Sequence, residues 1–178
     1  MRIFVISDIH GSLKYLNDFM KIYKEENGDT LVILGDILYH GPRNPLPEEY
    51  NPKEVANILN NMKEKIIWIK GNCDGEVDEM VLDFRMVERG VLFYNNHKIY
   101  LSHGHKEDEN NNKLSKGDIL LVGHTHINFI KEKNDVIIAN PGSLSLPKND
   151  TKNSYMLIED NKISIYSLEK TKLYEKEI

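Results

Sequence analysis

The 178-residue chain has a single cysteine, Cys73, which leaves no internal disulfide framework and no cysteine cluster for a zinc ribbon. Any metal must be held by His, Asp, Asn or Glu, and a reducing compartment is the natural setting. Positive charge is also short: 23 Lys and Arg stand against 28 Asp and Glu, a formal charge of −5. That balance gives no long-range attraction to a nucleic-acid polymer or an anionic membrane. No apolar run is long enough to span a bilayer, and the opening MRIFVISDIHG passes into Asp8 and His10 without a small-residue cleavage site. These absences point to a cytoplasmic protein with no membrane partner. No repeat, Gly/Ser linker or long low-complexity tract divides the chain, so its length predicts one domain over residues 1–178. A very polar stretch that begins at Lys106 and includes residues 110–112 reads as a mobile loop.

Apolar runs at 2–7, 30–34 and 66–69 each end in a turn signal and suit strands buried on both faces. Between the first two, Leu13, Leu16, Phe19 and Tyr23 recur at helical spacing, with Ser12 to cap the start and Gly28 to close the end. Val55, Ile58, Leu59 and Met62 share one face of a second helix, predicted over 52–64. The first seventy residues therefore read β-α-β-α-β. The second half carries short strand candidates at 91–94, 99–102, 119–123, 129–131, 136–138, 155–158 and 162–167. Asn134-Asp135 and Asp160-Asn161 are turn pairs of the kind that two-stranded connections need. Trp68 and Met62 read as core, His97 beside Asn95-Asn96 as solvent-exposed, and the Lys/Glu-rich end from Glu169 as a solvated tail or edge strand. The pattern is that of an α/β protein with a β-rich C-terminal half, two sheets face to face and helices outside.

Nearly every strong polar candidate falls directly after an apolar run: Asp8 and His10, Asp36, Asn72, His103, then His124 and His126. The carboxyl ends of strands in open α/β sheets are where ligands bind, because the loops converge there while the sheet fixes their positions. Seven histidines predict about 0.3 His-x-His pairs by chance. The chain has two, His103/His105 and His124/His126, and on extended backbone residues i and i+2 present both donors to one side. Taken singly, Asp8 reads as a helix cap, Asp36 and Asn72 as turn residues, and each histidine as an ordinary hydrogen-bonded side chain. Together, oxygen and imidazole donors without thiolate suit Mn²⁺, Fe or Zn²⁺ in an expanded site.

The ordered set Asp8-Ile9-His10, Gly35-Asp36, Gly71-Asn72-Cys73-Asp74, His103-Gly104-His105 and Gly123-His124-Thr125-His126 resembles the five-block signature of calcineurin-like metallophosphoesterases. His40-Gly41-Pro42-Arg43-Asn44 running on to Leu46-Pro47-Glu48, the continuation Glu76-Val77-Asp78, and Asn140-Pro141-Gly142-Ser143 resemble the branch of small bacterial phosphodiesterases of the YfcE type. The resemblance implies a four-layer αββα sandwich of two mixed β-sheets flanked by helices. It also implies two divalent ions per chain, Mn²⁺ foremost and Zn²⁺, Fe²⁺ or Ni²⁺ as substitutes. Asp8, His10, Asp36 and His126 would hold the first ion; Asp36, Asn72, His103 and His124 would hold the second. Asp36 would bridge them, and a hydroxide shared by both ions would attack a phosphodiester.

That chemistry has a physical reason. A phosphodiester is anionic and resists water, and two cations roughly 3.5–4 Å apart lower the pKa of water, neutralise the phosphoryl oxygens and align the attack. Many members of the superfamily place a His after the Asn of the third block; here Cys73 stands there. A thiol with an ordinary pKa near 8.5 donates a weaker hydrogen bond, which predicts a preference for esters with good leaving groups unless His105 or His40 substitutes as the acid. His105 also reads as a group that orients the ligand His103. The segment 38–50, with Pro42, Pro45 and Pro47, is too proline-dense for a helix and reads as a structured loop over the site. From it Arg43 would grip the substrate phosphate with its forked guanidinium.

The function expected is thus metal-dependent hydrolysis of small phosphodiesters, since the chain lacks both a basic surface and the length for a capping domain. A phosphomonoesterase or nuclease on the same site is the enzymatic alternative, and a non-catalytic metal- or phosphate-binding scaffold the other. Edge strands in the second half allow a homo-oligomer, a dimer or tetramer.

Overall fold

The computed structural model describes residues 1–106 and 113–178, so most of the polar stretch read above as a loop lies outside the described residues. The elements run β1 (Ile3–Ile6), α1 (Leu13–Glu25), β2 (Thr30–Ile33), α2 (Pro52–Asn60), β3 (Ile66–Ile69), β4 (Met86–Val87), β5 (Gly90–Tyr94), β6 (His97–Leu101), β7 (Ile119–Leu121), β8 (Asn128–Lys133), β9 (Val136–Pro141), β10 (Ser154–Glu159), β11 (Lys162–Ser167) and β12 (Lys172–Glu177). They form two mixed sheets, one ordered β12-β11-β10-β1-β2-β3-β4 and the other β5-β6-β7-β9-β8.

β1 is buried along its whole length because both of its faces are covered. Phe4 and Ile6 join Leu31, Ile33, Trp68 and the inward faces of α1 and α2; Ile3 and Val5 join Val32, Leu34, Ile99 and Ile119 between the sheets. Ser12 caps α1 by accepting the Tyr15 N–H, and Gly28 N–H closes the helix on the Tyr23 carbonyl (2.9 Å). Both α-helices pack on the seven-stranded sheet; over the outer face of the other sheet Tyr100, Leu114 and Phe129 pack on Leu120, Val122, Val136 and Ile138. Two sheets face to face with helices outside is the architecture expected.

Helix α2 stops at Asn60, four residues before its predicted end. The Asn60 amide is drawn away to the Val81 carbonyl (2.9 Å) and the Asp83 N–H (2.8 Å), and residues 63–65 form a 3₁₀ turn into β3. The two predicted hairpin turns form, with Asn134, Asp135, Asp160 and Asn161 all at positive φ. One strand arises where none stood out, the two-residue β4 paired with β3, and the Lys/Glu-rich end forms β12, the edge strand that was one of its two readings. His97 begins β6 and is half-buried, not exposed as its turn suggested, because it pairs with Tyr94.

Candidate metal centre

Strands β1, β2 and β3 run parallel in one sheet, and β6 and β7 run parallel in the other. Their carboxyl ends deliver Asp8 and His10, Asp36, Asn72 and Cys73, His103, and His124 and His126 to one place. Asp8 (φ 54°), His10 (49°), Asp36 (56°), His124 (66°) and His126 (62°) all adopt left-handed backbone, which L side chains rarely do. Backbone bonds between neighbouring turns hold those conformations: Asp8 N–H to Gly35 (3.0 Å), His10 N–H to Asp36 (2.9 Å), Gly123 N–H to His103 (2.8 Å). Gly71 is required by crowding, since a Cβ there would lie 2.0 Å from Asp36 Oδ1.

Asp8 Oδ1 lies 3.6 Å from His10 Nε2 and 3.2 Å from His126 Nε2, and the two imidazole nitrogens are 3.3 Å apart. Asp36 Oδ2 lies 3.8 Å from His10 Nε2 and 3.6 Å from His103 Nε2, and His103 Nε2 is 3.1 Å from Asn72 Oδ1. Two donor groups suited to a cation result, Asp8/His10/His126 and Asp8/Asp36/His103, with Asp8 common to both; the Cys73 thiol comes close to His10 and Asp36 in a third. His124 stands outside these groups, its ring 5.1 Å from that of His103 and its N–H on Asp8 Oδ2 (3.0 Å).

The residues present fit a cation. Each of three imidazoles spends Nδ1–H on a backbone carbonyl: His10 on Tyr39 (2.8 Å), His103 on Leu34 (2.6 Å), His126 on Leu146 (2.6 Å). The lone pair is thereby placed on Nε2, which faces the site. Asp8 Oδ1 is buried without a hydrogen-bond partner, while its Oδ2 accepts from Ser7 Oγ–H (2.6 Å). Burial opposes the charge on Asp8, yet its contacts with His10 and His126 hold its carboxyl well below the ordinary range. Burial, with Asp8 and Asp74 nearby, pushes Asp36 upward. Burial and the neighbouring His103 push His124 and His105 downward, favouring neutral imidazole. Burial and Asp36 push the Cys73 thiol up to about 12.

Behind the donors stands a supporting set for which sequence reasoning gave no role. Asp74 accepts the N–H groups of Asp36 (2.8 Å), Ile37 (2.9 Å) and Gly71 (2.8 Å) and the Trp68 indole (3.1 Å). Asn140 donates to Gly123 (2.7 Å) and accepts from Gly142 N–H (2.8 Å), and Ser143 Oγ–H donates to the Asp8 carbonyl (2.8 Å). These residues lie inside motifs already singled out, but what they hold is a matter of tertiary contact.

A cavity of about 440 Å³ opens over the donors, lined by Asp36, Asn72, Cys73 and residues 124–126, and walled by 41–44 and Lys148. Arg43 is thus brought to the site, on a segment anchored by Ser12 Oγ–H to Glu48 (2.7 Å) and Asn51 N–H to Gly11 (2.8 Å). His40 and His105 are not among the lining residues: His40 packs against Tyr39 and Tyr50, and His105 is exposed, its ring 5.4 Å from His103. Lys148 carried no sequence signal.

Comparison with known proteins gives the class. Residues 1–162 match the model of the calcineurin-like phosphoesterase superfamily domain. The chain is 39% identical over 171 residues to phosphodiesterase YfcE of Escherichia coli, covering 94% of this chain and 92% of that protein. The solved structure of the E. coli phosphoesterase Yfce superposes with a TM-score of 0.97 over the whole of both chains at 35% identity. A Vps29 from Entamoeba histolytica, solved with Zn²⁺, shares the fold at a TM-score of 0.67 and 22% identity, covering 100% of this chain and 98% of that one. The chain belongs to the calcineurin-like phosphoesterase superfamily, a family of hydrolases, and carries clustered side chains that could hold a metal ion.

Proposed function

We propose that the chain is a divalent-metal-dependent phosphodiesterase acting on small phosphodiesters. Asp8, His10, Asp36 and His126 would hold one ion; Asp36, Asn72, His103 and His124 would hold a second. The observation that carries this reading is the pair His10 Nε2 and His126 Nε2, 3.3 Å apart with both Nδ1 atoms spent on carbonyls and the unpartnered Asp8 Oδ1 beside them. Two lone pairs so close repel unless a cation or a proton lies between them, and the buried Asp8 carboxylate beside them favours positive charge there. Two divalent ions, when bound, supply Lewis-acid charge to the phosphoryl oxygens and lower the pKa of water so that hydroxide is the nucleophile. Mn²⁺ is the expected ion, with Zn²⁺, Fe²⁺ or Ni²⁺ able to occupy the same N/O donors.

The chain's own residues supply the rest. Asp36, fixed by Cys73 N–H on Oδ1 (2.8 Å) and by Asp74 on its N–H, keeps a constant position for its second oxygen. Arg43 orients the substrate phosphate from the cavity wall. Cys73, protonated across the physiological range, leaves alkoxide leaving groups with a weak donor, so aryl esters are favoured. The cavity suits a small ester, being at the lower end of ligand pockets. The phosphodiesterase named at 39% identity supports the same substrate class. A cytoplasmic setting agrees with the free thiol of Cys73. A homo-oligomer would draw on β5, an uncharged sheet edge with Val91 47% and Phe93 73% exposed.

The test is hydrolysis of bis-p-nitrophenyl phosphate and p-nitrophenyl phosphate by metal-stripped protein with each ion restored, beside Asp36→Asn. Metal-dependent cleavage of the diester, faster than the monoester and lost in the variant, is expected. A faster monoester makes the chain a phosphomonoesterase; no turnover with two ions bound per chain makes it a binding protein.

A further inference from the structure

Arg43 and Lys148 reach the cavity from separate loops. The loop bearing Lys148 is tied to His126 from both sides. The Leu146 carbonyl accepts His126 Nδ1–H (2.6 Å), the His126 carbonyl accepts the Lys148 N–H (3.1 Å), and the Thr151 hydroxyl donates to the Lys148 carbonyl (2.7 Å). Thr151 N–H closes the turn on the Lys148 carbonyl (3.1 Å). The backbone of Lys148 is therefore set relative to a candidate ligand, while its side chain is free to extend. Several lysines are matched to carboxylates, as Lys170 is to Glu25 and Lys176 to Glu132; Arg43 and Lys148, like Lys24, Lys53 and Lys152, have no acidic ion-pair partner among the described residues, and of these five only Arg43 and Lys148 line the cavity. A simple phosphodiester carries one negative charge, which the bound ions and the forked guanidinium of Arg43 would already meet. For that substrate the second cation is in surplus.

We infer that Lys148 anchors a second anion-binding subsite, which takes a negatively charged group carried on the substrate away from the reacting phosphorus. The favoured substrates are then small diesters with an anionic ester arm. The inference rests on the phosphodiesterase reading and narrows its substrate class. Carboxylate and phosphate share the chemistry that an ammonium recognises, and substrates of each kind separate them.

The experiment uses the metal-loaded protein with p-nitrophenyl propyl phosphate and its analogues ending in a carboxylate or a phosphate on the propyl arm. The leaving group is the same throughout, so the ratio of KM between neutral and charged esters isolates the arm. The charged esters should show KM lower by about 5- to 10-fold, less so at high salt, as expected of a charge pair at an open rim. Lys148→Ala should bring that ratio to about one, Lys148→Glu should reverse it, and Lys148→Arg should restore it. An unchanged ratio in Lys148→Ala, or an equal rise in KM for neutral and charged esters, overturns the subsite. If no diester is turned over, the phosphodiesterase reading fails separately, and titration calorimetry of pyrophosphate against phosphate still decides. A pyrophosphate preference lost in Lys148→Ala supports the subsite, and one that persists removes it.

Discussion

Asp74→Asn separates support of the site from the chemistry of the site. The Asp74 carboxylate is 6% exposed, and Oδ2 accepts from Asp36 N–H, Gly71 N–H and the Trp68 indole while Oδ1 accepts from Ile37 N–H. An isosteric amide keeps one acceptor. With its oxygen toward the three donors, its NH₂ meets the Ile37 N–H, leaving that buried donor unsatisfied at about 1–3 kcal/mol. The three surviving bonds also lose their charge assistance, so a loss of about 2–4 kcal/mol is expected. For a chain of this size each kcal/mol is worth about 2–4 °C, which puts the melting temperature of metal-stripped Asp74→Asn about 4–16 °C below wild type. Asp74→Ala orphans all four donors and should consume most of the roughly 5–15 kcal/mol by which a domain is stable. The control is Asp83→Asn, whose side chain is 61% exposed beside Lys63; it should melt within about 1 °C of wild type. Calorimetric melts of all four proteins in chelator, followed by metal stoichiometry and diesterase turnover, read the effect. Asp74→Asn melting with the control and turning over at the wild-type rate would refute the reasoning.

Three further outcomes follow from particular contacts. Gly71→Ala places a Cβ 2.0 Å from Asp36 Oδ1 and 2.5 Å from its backbone nitrogen; bound metal per chain, measured by elemental analysis, should fall while far-UV circular dichroism is retained, and full metal loading would contradict it. Cys73→His supplies a stronger proton donor at the cavity, so alkyl esters should gain on aryl esters in kcat; unchanged relative rates remove Cys73 from the leaving-group end. At His124, with φ 66°, Gly should leave the metal-free protein more stable than Ala by about 1 kcal/mol in urea titration, the reverse of their usual order. Ala equal to or above Gly would show that the left-handed backbone there is without cost.

The candidate donors were legible because their signals are local. Apolar runs such as Ile3–Ile6 are strands buried on both faces, and polar residues directly after them fall at the converging strand ends. Ser12, Gly28 and the paired turn residues Asn134-Asp135 mark boundaries through their own backbone chemistry. What was hidden depends on partners distant in sequence. Helix α2 loses its last turn to an amide that finds Val81 and Asp83, and β4 exists only because β3 offers it an edge. Lys148 looks like any surface lysine until His126 fixes its loop. The roles of Asp74 and Asn140 could not be assigned from motif membership, since what they accept and donate to lies across other turns.

Five of the gathered residues, Asp8, His10, Asp36, His124 and His126, hold left-handed backbone at once, and at roughly 1–2 kcal/mol each that is several kcal/mol against folding. The opposing contributions are the same bonds that position the donors. Ser143 and Ser145 both donate to the Asp8 carbonyl (2.8 and 3.1 Å), Asp74 fixes the Asp36 turn, and Asn140 fixes the turn at Gly123. The conformation is therefore set during folding, and a cation or substrate meets donors whose ordering cost has already been met. Substitutions in the support and in the donors should then diverge. Removing Asp74 loses stability and activity together, because the strain remains and its counterweight is gone. Replacing His124 by glycine removes a proposed donor while relieving strain, so activity should fall as the fold is spared.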